Sequence, residues 1–338
     1  MSERIYLLPG SEQKGSYYKA NLHCHTTFSD GRLTPEEVKK AYQEQGYAVV
    51  AYTDHRNYQW HKELTDDCFL ALAAMEVDIN EHYKTSGDFS RVKTYHINLY
   101  DSQPEAFQEE KSRGLLPERR YNDTEYINEY IDVMKGYGFF ACYNHPYWSL
   151  QNYDDYKNLR GFWGMEIYNH GCEQEGLYGY HPQSYDEMLR LGNRLYCVST
   201  DDNHNSYPFG HPFCDSFGGF TMIHAEELTY EAITAALLKG SFYSSMGPEI
   251  KELYVEDGKL FIKTSPVEKI YVATEGRNCY RTAAAPGETI TEACFELTGK
   301  EGYIRIDCQD GRGLHANTNA YEMNGTVPYL RPYDMTRW

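Results

Sequence analysis

The sequence predicts an α/β fold, a parallel α/β barrel followed by a small all-β domain. Apolar runs typical of strands alternate with helix patterns about seven times between residues 18 and 248, as expected of such a barrel. His, Asp and Glu residues mostly fall directly after these runs, at the carboxyl ends of the predicted strands, where barrels locate their chemistry. After Pro248 the helix patterns stop, and short alternating segments separated by Gly and Pro indicate β structure.

The first β-α-β unit shows the pattern clearly. After an opening strand, Thr34 is predicted to cap a helix, with Pro35 at its first position and Glu37 completing a capping box. Gly46 predicts the end of that helix. The continuous apolar run at 47–52 is typical of a strand buried on both faces of a parallel sheet.

Later units repeat this pattern along the chain. Strands are predicted at 69–75, 93–100, 139–143, 165–168, 195–198 and 220–223, and helices at 123–137, 184–191 and 230–238. The polar segment 101–122, rich in Glu and Arg, is predicted to be an insertion loop over the barrel mouth. These assignments place the barrel at residues 1–248.

Residues 249–338 are predicted to form a β-sandwich-like domain. Short segments with alternating apolar residues lie at 250–255, 259–263, 269–273, 293–297 and 302–307. Asp-Gly, Ser-Pro, Glu-Gly and Pro-Gly pairs between them are typical of turns.

The charge balance limits the partners of this protein. Its 338 residues include 32 Lys and Arg against 50 Asp and Glu, a formal net charge of −18. Such a field repels phosphate backbones and anionic lipid, so we expect neither long nucleic acid nor a membrane as a partner. A small anionic substrate would need metal ions to offset the field. The sequence indicates no particular oligomeric state.

The apolar and cysteine patterns predict a cytoplasmic location. The first residues lack an apolar core of signal-peptide length, and no stretch of about 18 apolar residues occurs. Nine cysteines are scattered without a C-x-x-C pair, which favours reduced, mostly buried thiols over a disulfide framework.

The most informative stretch is N-L-H-C-H-T-T-F-S-D at 21–30. If a strand ends there, alternation places the imidazoles of His23 and His25 on one face, about 7 Å apart along the backbone. Two neutral imidazoles aimed together indicate a metal site. Taken alone, however, the pair is explained equally well as two polar residues at a strand end.

The other predicted strand ends supply further donors of the same chemical types. The full set is His23, His25, Asp30, His55, Glu76, His96, His145, Asp202 and His204. Oxygen and nitrogen donors without a thiolate suit Zn, Mn or Fe. Nine donors are too many for one ion, so the sequence predicts a centre with several metals.

The order of these motifs resembles that of a known superfamily. Y-T-D-H at 52–55, A-M-E-V-D at 74–78, Y-N-H-P at 143–146 and S-T-D-D-N-H at 199–204 follow the opening stretch. Together they resemble the PHP (polymerase and histidinol phosphatase) superfamily, over about residues 18–248. More narrowly, the chain is similar to the stand-alone metal-dependent phosphoesterases and their carbaryl-hydrolase-like (CehA/McbA) branch. G-S-F-Y-S-S-M-G-P at 240–248 resembles the two-domain members of that branch.

This resemblance implies a distorted (β/α)7 barrel that carries two or three divalent ions. His23, His25, Glu76 and Asp202 would surround one ion. Glu76 would also bridge to a second ion held by His96 and His145. Asp30, His55 and His204 would hold a third, with Asp30 standing where some relatives have a histidine. His82 is the alternative to His96.

The resemblance also implies a reaction. We expect a metal-dependent phosphoesterase that hydrolyses a small organophosphate, such as a nucleotide or sugar phosphate, with a metal-bound hydroxide as nucleophile. His23, His25, Glu76 and Asp202 would be catalytic through the metal that they hold. Cleavage of an amide or carbamate ester is the first alternative, because the same nucleophile can attack a carbonyl. A binding module that senses a metal or ligand is the second.

Residues beside the ligand motifs are candidates for supporting roles. Asp54 and Asp201 are expected either to orient imidazoles or simply to cap strand ends. Glu166, on another predicted strand, either points into the barrel mouth as a functional residue or has no functional role. The candidate substrate contacts are Arg56, Arg119 and Arg120, which could pair with a phosphate, and Tyr147 and Trp148, which could stack on a ring.

Overall fold

A computed structural model describes residues 4–10, 13–81, 89–106 and 115–336. The chain divides into two compact units, one of residues 19–220 with 334–338 and one of residues 1–18 with 221–333. The predicted domain boundary between residues 248 and 249 stays a prediction.

The strands and helices are numbered in chain order. The strands are β1 (Ile5–Leu8), β2 (Ser16–Asn21), β3 (Val49–Tyr52), β4 (Leu70–Asn80), β5 (Thr94–Asp101), β6 (Phe139–Tyr143), β7 (Gly164–Asn169), β8 (Tyr196–Thr200), β9 (Phe220–Ala225), β10 (Phe242–Ser245), β11 (Ile250–Glu256), β12 (Lys259–Val267), β13 (Lys269–Thr274), β14 (Tyr280–Ala283), β15 (Ile290–Glu296), β16 (Tyr303–Gln309), β17 (His315–Thr318), β18 (Tyr321–Asn324) and β19 (Val327–Tyr329). The α-helices are α1 (Pro35–Glu44), α2 (Thr124–Gly136), α3 (Tyr153–Tyr156), α4 (His170–Gln174), α5 (Pro182–Arg190) and α6 (Tyr230–Lys239).

The unit of residues 19–220 contains a sheet in the order β2-β3-β4-β5-β6-β7-β8, which β2 joins through Ala20 and Asn21. The pairs from β2 to β4 and from β6 to β8 are parallel, as the alternation of strands and helices predicts. Cys24 and Asn203 form a parallel bridge, and the amide of His25 donates to the carbonyl of Asn203 at 3.1 Å. The segments that follow β2 and β8 therefore meet, although these strands stand at opposite ends of the order.

Strand β5 differs from the all-parallel expectation. It pairs antiparallel with both β4 and β6, with Asp78 opposite His96. Because its direction is reversed, the beginning of β5 lies at the edge where its neighbours present their carboxyl ends. His96, the third residue of β5, reaches this edge for that reason.

Local sequence signals explain why the helices begin where they do. At α1 the Thr34 hydroxyl accepts from the amide of Glu37 at 3.3 Å, and the Glu37 carboxylate accepts from the amide of Thr34 at 2.9 Å. This is the predicted capping box. Asp123 caps α2 by accepting from the amide of Tyr126 at 3.0 Å.

The strands that lead to the predicted donors are buried. All four residues of β3 are buried, as are residues 70–77 of β4. Tyr100 of β5 is fully buried and its hydroxyl donates to the carbonyl of Leu22 at 2.8 Å. That bond ties the residue before His23 to the sheet.

The second unit confirms the predicted C-terminal all-β region. β1, β11, β12 and β15 form one antiparallel sheet, while β13 pairs with β14 and β16 in another. Apolar side chains of both sheets form one core that includes Leu253, Ile262, Ile270, Val272 and Ile306. β9, α6 and β10, which the sequence pattern assigned to the barrel, belong to this compact unit.

The hydrocarbon core of a bilayer requires a helix of about 20 mostly apolar residues, which is the standard for the described helices. Among them, none is long and apolar enough to cross a membrane.

Candidate metal centre

The first group of donors consists of His23, His25 and Asp202, which follow β2 and β8. Both histidines are fully buried, and their Nε2 atoms lie 3.1 Å apart. Asp202 Oδ1 is 3.1 Å from Nε2 of His23 and 3.0 Å from Nε2 of His25. Two imidazole nitrogens and a carboxylate oxygen thus converge on one point, as the H-x-H pattern predicts.

Glu76 connects this group to the rest of the centre. Its Oε1 is 3.3 Å from Nε2 of His23 and 3.0 Å from Nδ1 of His96. Its Oε2 is 3.0 Å from Nδ1 of His55 and 3.4 Å from Nε2 of His25. Nε2 of His145 lies 3.5 Å from Oε1. One buried carboxylate therefore contacts five imidazoles.

A third group forms around Asp30. Asp30 Oδ1 is 3.4 Å from Nε2 of His204, and Oδ2 is 3.7 Å from Nε2 of His55. The Asp30 side chain is 58% exposed, yet its oxygens face these rings. His55 presents Nδ1 to Glu76 and Nε2 to Asp30, so it lies between two groups of donors.

The structure thus brings all nine predicted residues together. Four sets of donor atoms lie within 4.8 Å of one another in the described chain: His25 with Asp30, His55 and His204; His23 with His25 and Asp202; His55 with Glu76 and His96; and His23 with His145 and Glu166. His82, the alternative to His96, lies outside the described residues.

These donors fit divalent metal ions. Glu76 Oε2 and Asp202 Oδ1 are buried and lie 3.0–3.4 Å from imidazole nitrogens, but neither makes a hydrogen bond of favourable geometry within the described part of the chain. A buried carboxylate oxygen without a hydrogen-bond donor is unfavourable, and a cation would compensate it. The donors are imidazole nitrogens and carboxylate oxygens, the ligands that Zn, Mn and Fe accept.

Backbone strain occurs at two of the ligand positions. His145 has φ 21° and Asp202 has φ 52°, values that non-glycine residues rarely adopt. Such conformations cost about 1–3 kcal/mol each and persist where surrounding contacts hold them. Here the amide of Asp202 donates to the carbonyl of His23 at 2.9 Å, and the amide of His145 donates to Glu166 Oε2 at 3.1 Å.

Glu166 of β7, whose position the sequence left undecided, lies among the donors. It is fully buried, and its Oε1 lies 2.6 Å from Nδ1 of His23. Its carboxylate also accepts from the Thr200 hydroxyl at 2.7 Å and from the Asn169 amide group at 2.9 Å. A carboxylate on the far nitrogen of a ligand imidazole fixes the tautomer and directs the other nitrogen towards the ion. The sequence feature that could have identified Glu166 is an acidic residue inside an apolar strand.

Asp54 and Asp201 have a different role from orienting imidazoles. Asp54 accepts from the amide and the hydroxyl of Thr26, each at 2.8 Å, and from the hydroxyl of Ser29. Asp201 accepts from three consecutive amides, those of residues 217–219, and from the Tyr42 hydroxyl at 2.7 Å. Both carboxylates hold the loops that carry the ligand candidates. This agrees with the second alternative, that they cap strand ends.

Burial and the neighbouring charges together shift the pKa values of the groups in the centre. Burial lowers the pKa of His25, and the neighbouring His204 and His55 lower it further, to about 3. Burial also lowers the pKa of His204, but the Asp30 and Asp202 carboxylates outweigh it and raise the pKa to about 9. For Glu76 burial raises the pKa, but the surrounding imidazoles hold it well below its usual range. Cation binding would therefore displace protons from this cluster.

A cavity of about 1080 Å³ opens over the donors. It has the size of pockets that bind small molecules. Arg32 is the one Lys or Arg among the lining residues that the structure describes. Its amide donates to the carbonyl of His204 at 2.9 Å, and its exposed guanidinium has no hydrogen-bond or ion-pair partner in the described chain. No motif in the sequence singles out this residue.

Three of the candidate substrate contacts are arginines outside the cavity lining. Arg56 donates to Asp78 Oδ1 at 3.0 Å, and Arg120 pairs with Asp123 and lies 4.4 Å over the ring of Tyr126. Arg119 is exposed.

The two aromatic candidates lie closer to the donors. Trp148 lines the cavity, with its ring 5.3 Å from that of His96 and 5.1 Å from that of His145. Tyr147 is 48% exposed and packs on Tyr178 at 5.0 Å. All five substrate roles stay predictions.

The chain matches a known protein family. The family model of the PHP domain matches residues 21–239. No curated protein matches the chain significantly.

Three solved structures are similar to the chain at low identity. A two-domain protein from Bacteroides vulgatus, containing a predicted PHP-like metal-dependent phosphoesterase, is 16% identical with a TM-score of 0.46, covering 93% of this chain and 98% of that one. A candidate metal-dependent phosphoesterase from Bifidobacterium adolescentis is 15% identical with a TM-score of 0.35, covering 62% and 94%. An amidohydrolase from Chromobacterium violaceum with bound sulfate is 18% identical with a TM-score of 0.30, covering 55% and 87%.

The family match spans well over half of the chain and includes all nine predicted donors. The chain therefore belongs to the PHP domain family.

Proposed function

We propose that this protein is a metal-dependent phosphoesterase that hydrolyses a small organophosphate. The observation that carries the proposal is the position of Glu76, whose two oxygens face imidazoles of different donor groups. A carboxylate shared in this way is the means by which proteins hold two ions close enough to act on one substrate.

The donors divide among two or three ions. His23, His25 and Asp202 would hold one, with Glu76 Oε1 3.3 Å from Nε2 of His23. A second would take Glu76 with His96 and His145. The third would take Asp30, His55 and His204. Zn, Mn or Fe in these positions would supply Lewis acidity and lower the pKa of a bound water.

The reaction needs no nucleophile from the protein. The oxygen of a water bonds to phosphorus, the bond from phosphorus to the leaving oxygen breaks, and a proton ends on the leaving alcohol. The chain itself positions the reacting groups: the donors would hold the ions, and Glu166 orients His23. Arg32 at the cavity lining would hold a negatively charged oxygen of the substrate.

Arg32 is also the observation that favours a phosphoester over a carbamate. The cavity is lined by six carboxylates, on Asp30, Glu76, Asp78, Glu175, Asp202 and Asp215. A neutral carbamate offers no negative charge for an unpaired guanidinium in such surroundings, whereas a phosphate ester does.

A substrate panel tests the proposal. The protein is reconstituted with manganese or zinc and assayed with p-nitrophenyl phosphate, with its bis ester and with an aryl carbamate. We expect turnover of a phosphate ester, lost in His23→Ala and retained in His224→Ala, a control histidine of the other compact unit.

The other outcomes would overturn the proposal. Turnover of the carbamate alone would assign a carbamate hydrolase. Metal binding with thermal stabilisation and no turnover of any ester would assign a binding module. Circular dichroism of His23→Ala must match the wild type for its loss of activity to count.

A further inference from the structure

A cluster of exposed aromatic rings lies on the loop between β8 and β9. Tyr207 is 46% exposed and Phe213 is 54% exposed. The ring of Tyr207 stacks on that of His211 at 4.5 Å and 10°, and Phe213 lies 5.9 Å from Tyr207 and 5.8 Å from His211. Rings packed against one another at the surface form an exposed apolar patch, and such patches mark binding sites.

This patch belongs to the cavity of the metal centre. Both Tyr207 and Phe213 line the cavity, together with the ligand candidates Asp30 and His204. Trp148 lines it beside His96 and His145, where its Nε1 donates to Glu175 Oε2 at 2.8 Å. Aromatic side chains therefore stand next to two different groups of donors.

Hydrogen bonds fix the base of the loop to the centre. Asp215 Oδ2 accepts from the amide of His204 at 2.8 Å and from the amide of Asn205 at 2.9 Å. The side chain of Asn205 donates to the Ser216 hydroxyl at 2.7 Å. His204 is itself a ligand candidate. The hydrogen bonds of Asp215 therefore position both the His204 imidazole and the loop that carries the rings of Tyr207 and Phe213.

We infer that Tyr207 and Phe213 bind an aromatic ring in the alcohol portion of the substrate. The inference rests on the proposed phosphoesterase function and names its substrate class: phosphate esters whose alcohol carries an aromatic ring, either a phenol or a nucleoside. A flat ring offers a π face that side-chain rings can stack on, whereas glycerol or a sugar offers hydroxyl groups that these side chains do not satisfy.

The test compares the specificity of matched variants. Phenyl phosphate, a nucleoside 5′-monophosphate and glycerol 3-phosphate are assayed with the wild type and with a Tyr207→Ala, Phe213→Ala double variant. For each enzyme the ratio of kcat/KM for a ring-bearing ester to kcat/KM for glycerol 3-phosphate is taken. Comparing this ratio between variant and wild type cancels the intrinsic reactivity of each ester. The control is Phe209→Ala, an equally exposed ring of the same loop that packs on Phe217 at 5.1 Å.

We expect the double variant to lower the ratio by about 5- to 150-fold for at least one ring-bearing ester, the range found for loss of ring stacking. The control should leave the ratio unchanged. A fall for phenyl phosphate alone identifies a phenol, and a fall for the nucleotide identifies a nucleoside.

Two results would overturn the inference, and they differ. An unchanged ratio, with kcat/KM lowered equally for all esters, would mean that the rings only support the loop while the phosphoesterase function stands. Turnover of no ester by the metal-loaded wild type would remove the proposed function and the inference with it.

Discussion

Replacement of Glu166 by Gln tests how the chain orients its first metal ligand. The carboxylate accepts four hydrogen bonds, from His23 Nδ1 at 2.6 Å, Thr200 at 2.7 Å, Asn169 at 2.9 Å and the amide of His145 at 3.1 Å. A glutamine keeps one accepting oxygen and replaces the other by an NH2 group. Because the four donors divide equally between the two oxygens, either orientation turns the NH2 group towards two donors.

The size of the effect follows from this count. Each buried donor left without an acceptor costs about 1–3 kcal/mol, so we expect a stability loss of about 2–6 kcal/mol unless Thr200 rotates its hydroxyl. If the NH2 group faces His23, the imidazole loses the partner that fixes its tautomer. The affinity for the metal should then fall about 10- to 100-fold.

The assay is the dissociation constant for Zn or Mn, measured by chelator competition at a pH where Glu166→Gln remains folded. Glu175→Gln is the matched control, because Glu175 also lines the cavity but accepts from Trp148 rather than from a ligand imidazole. Because one orientation of the glutamine keeps an acceptor for His23, Glu166→Met, which removes that acceptor in every orientation, is measured beside it. Dissociation constants of both variants within about twofold of the wild type would refute the orienting role.

Three further predictions concern Asp30, Arg32 and His181. Asp30→Ala should lose about one equivalent of bound metal in elemental analysis, and full retention would remove the third ion. Arg32→Gln should raise KM for a phosphate ester about 10-fold with unchanged metal content, and Arg32→Lys should restore part of the loss in steady-state assays. Burial, then the charge of His145, lowers the pKa of His181 from 6.5 to about 4. Its contribution to stability is therefore complete above pH 6.5 and decreases as the pH falls towards 4. Relative to the wild type, His181→Phe should gain about 2 kcal/mol of unfolding free energy between about pH 7.5 and about pH 5 in denaturant titrations, and a constant difference would contradict this assignment.

Local signals made much of the fold predictable. The capping box of Thr34 and Glu37 depends on residues three positions apart, and the structure shows it where the sequence predicts it. The apolar run at 47–52 contains β3, which is buried throughout. The donors of the metal centre were predictable because each follows or interrupts an apolar strand.

What the sequence did not reveal depends on distant contacts. The reversed direction of β5 is decided by its pairing with β4 and β6, which no pattern inside β5 records. Glu166 gains its role from His23, which lies 143 positions earlier. β14 and β19 are short and largely exposed, so they lack the apolar alternation by which strands are recognised.

Arg32 and the aromatic loop illustrate a further limit. An exposed arginine in a turn is usually plain surface, and its sequence neighbours do not show that it lines a cavity. The rings of Tyr207 and Phe213 occur in a loop without periodicity, so only the folded chain shows their position beside His204.

The central claim is that Glu76 joins the donors into one centre with several metals. The most direct measurement is the metal content per chain after reconstitution with manganese or zinc and removal of loosely bound ions, determined by inductively coupled plasma mass spectrometry. The shared carboxylate predicts two to three ions per wild-type chain, and a loss of at least one in Glu76→Gln. One ion or fewer in the folded wild-type protein would contradict it.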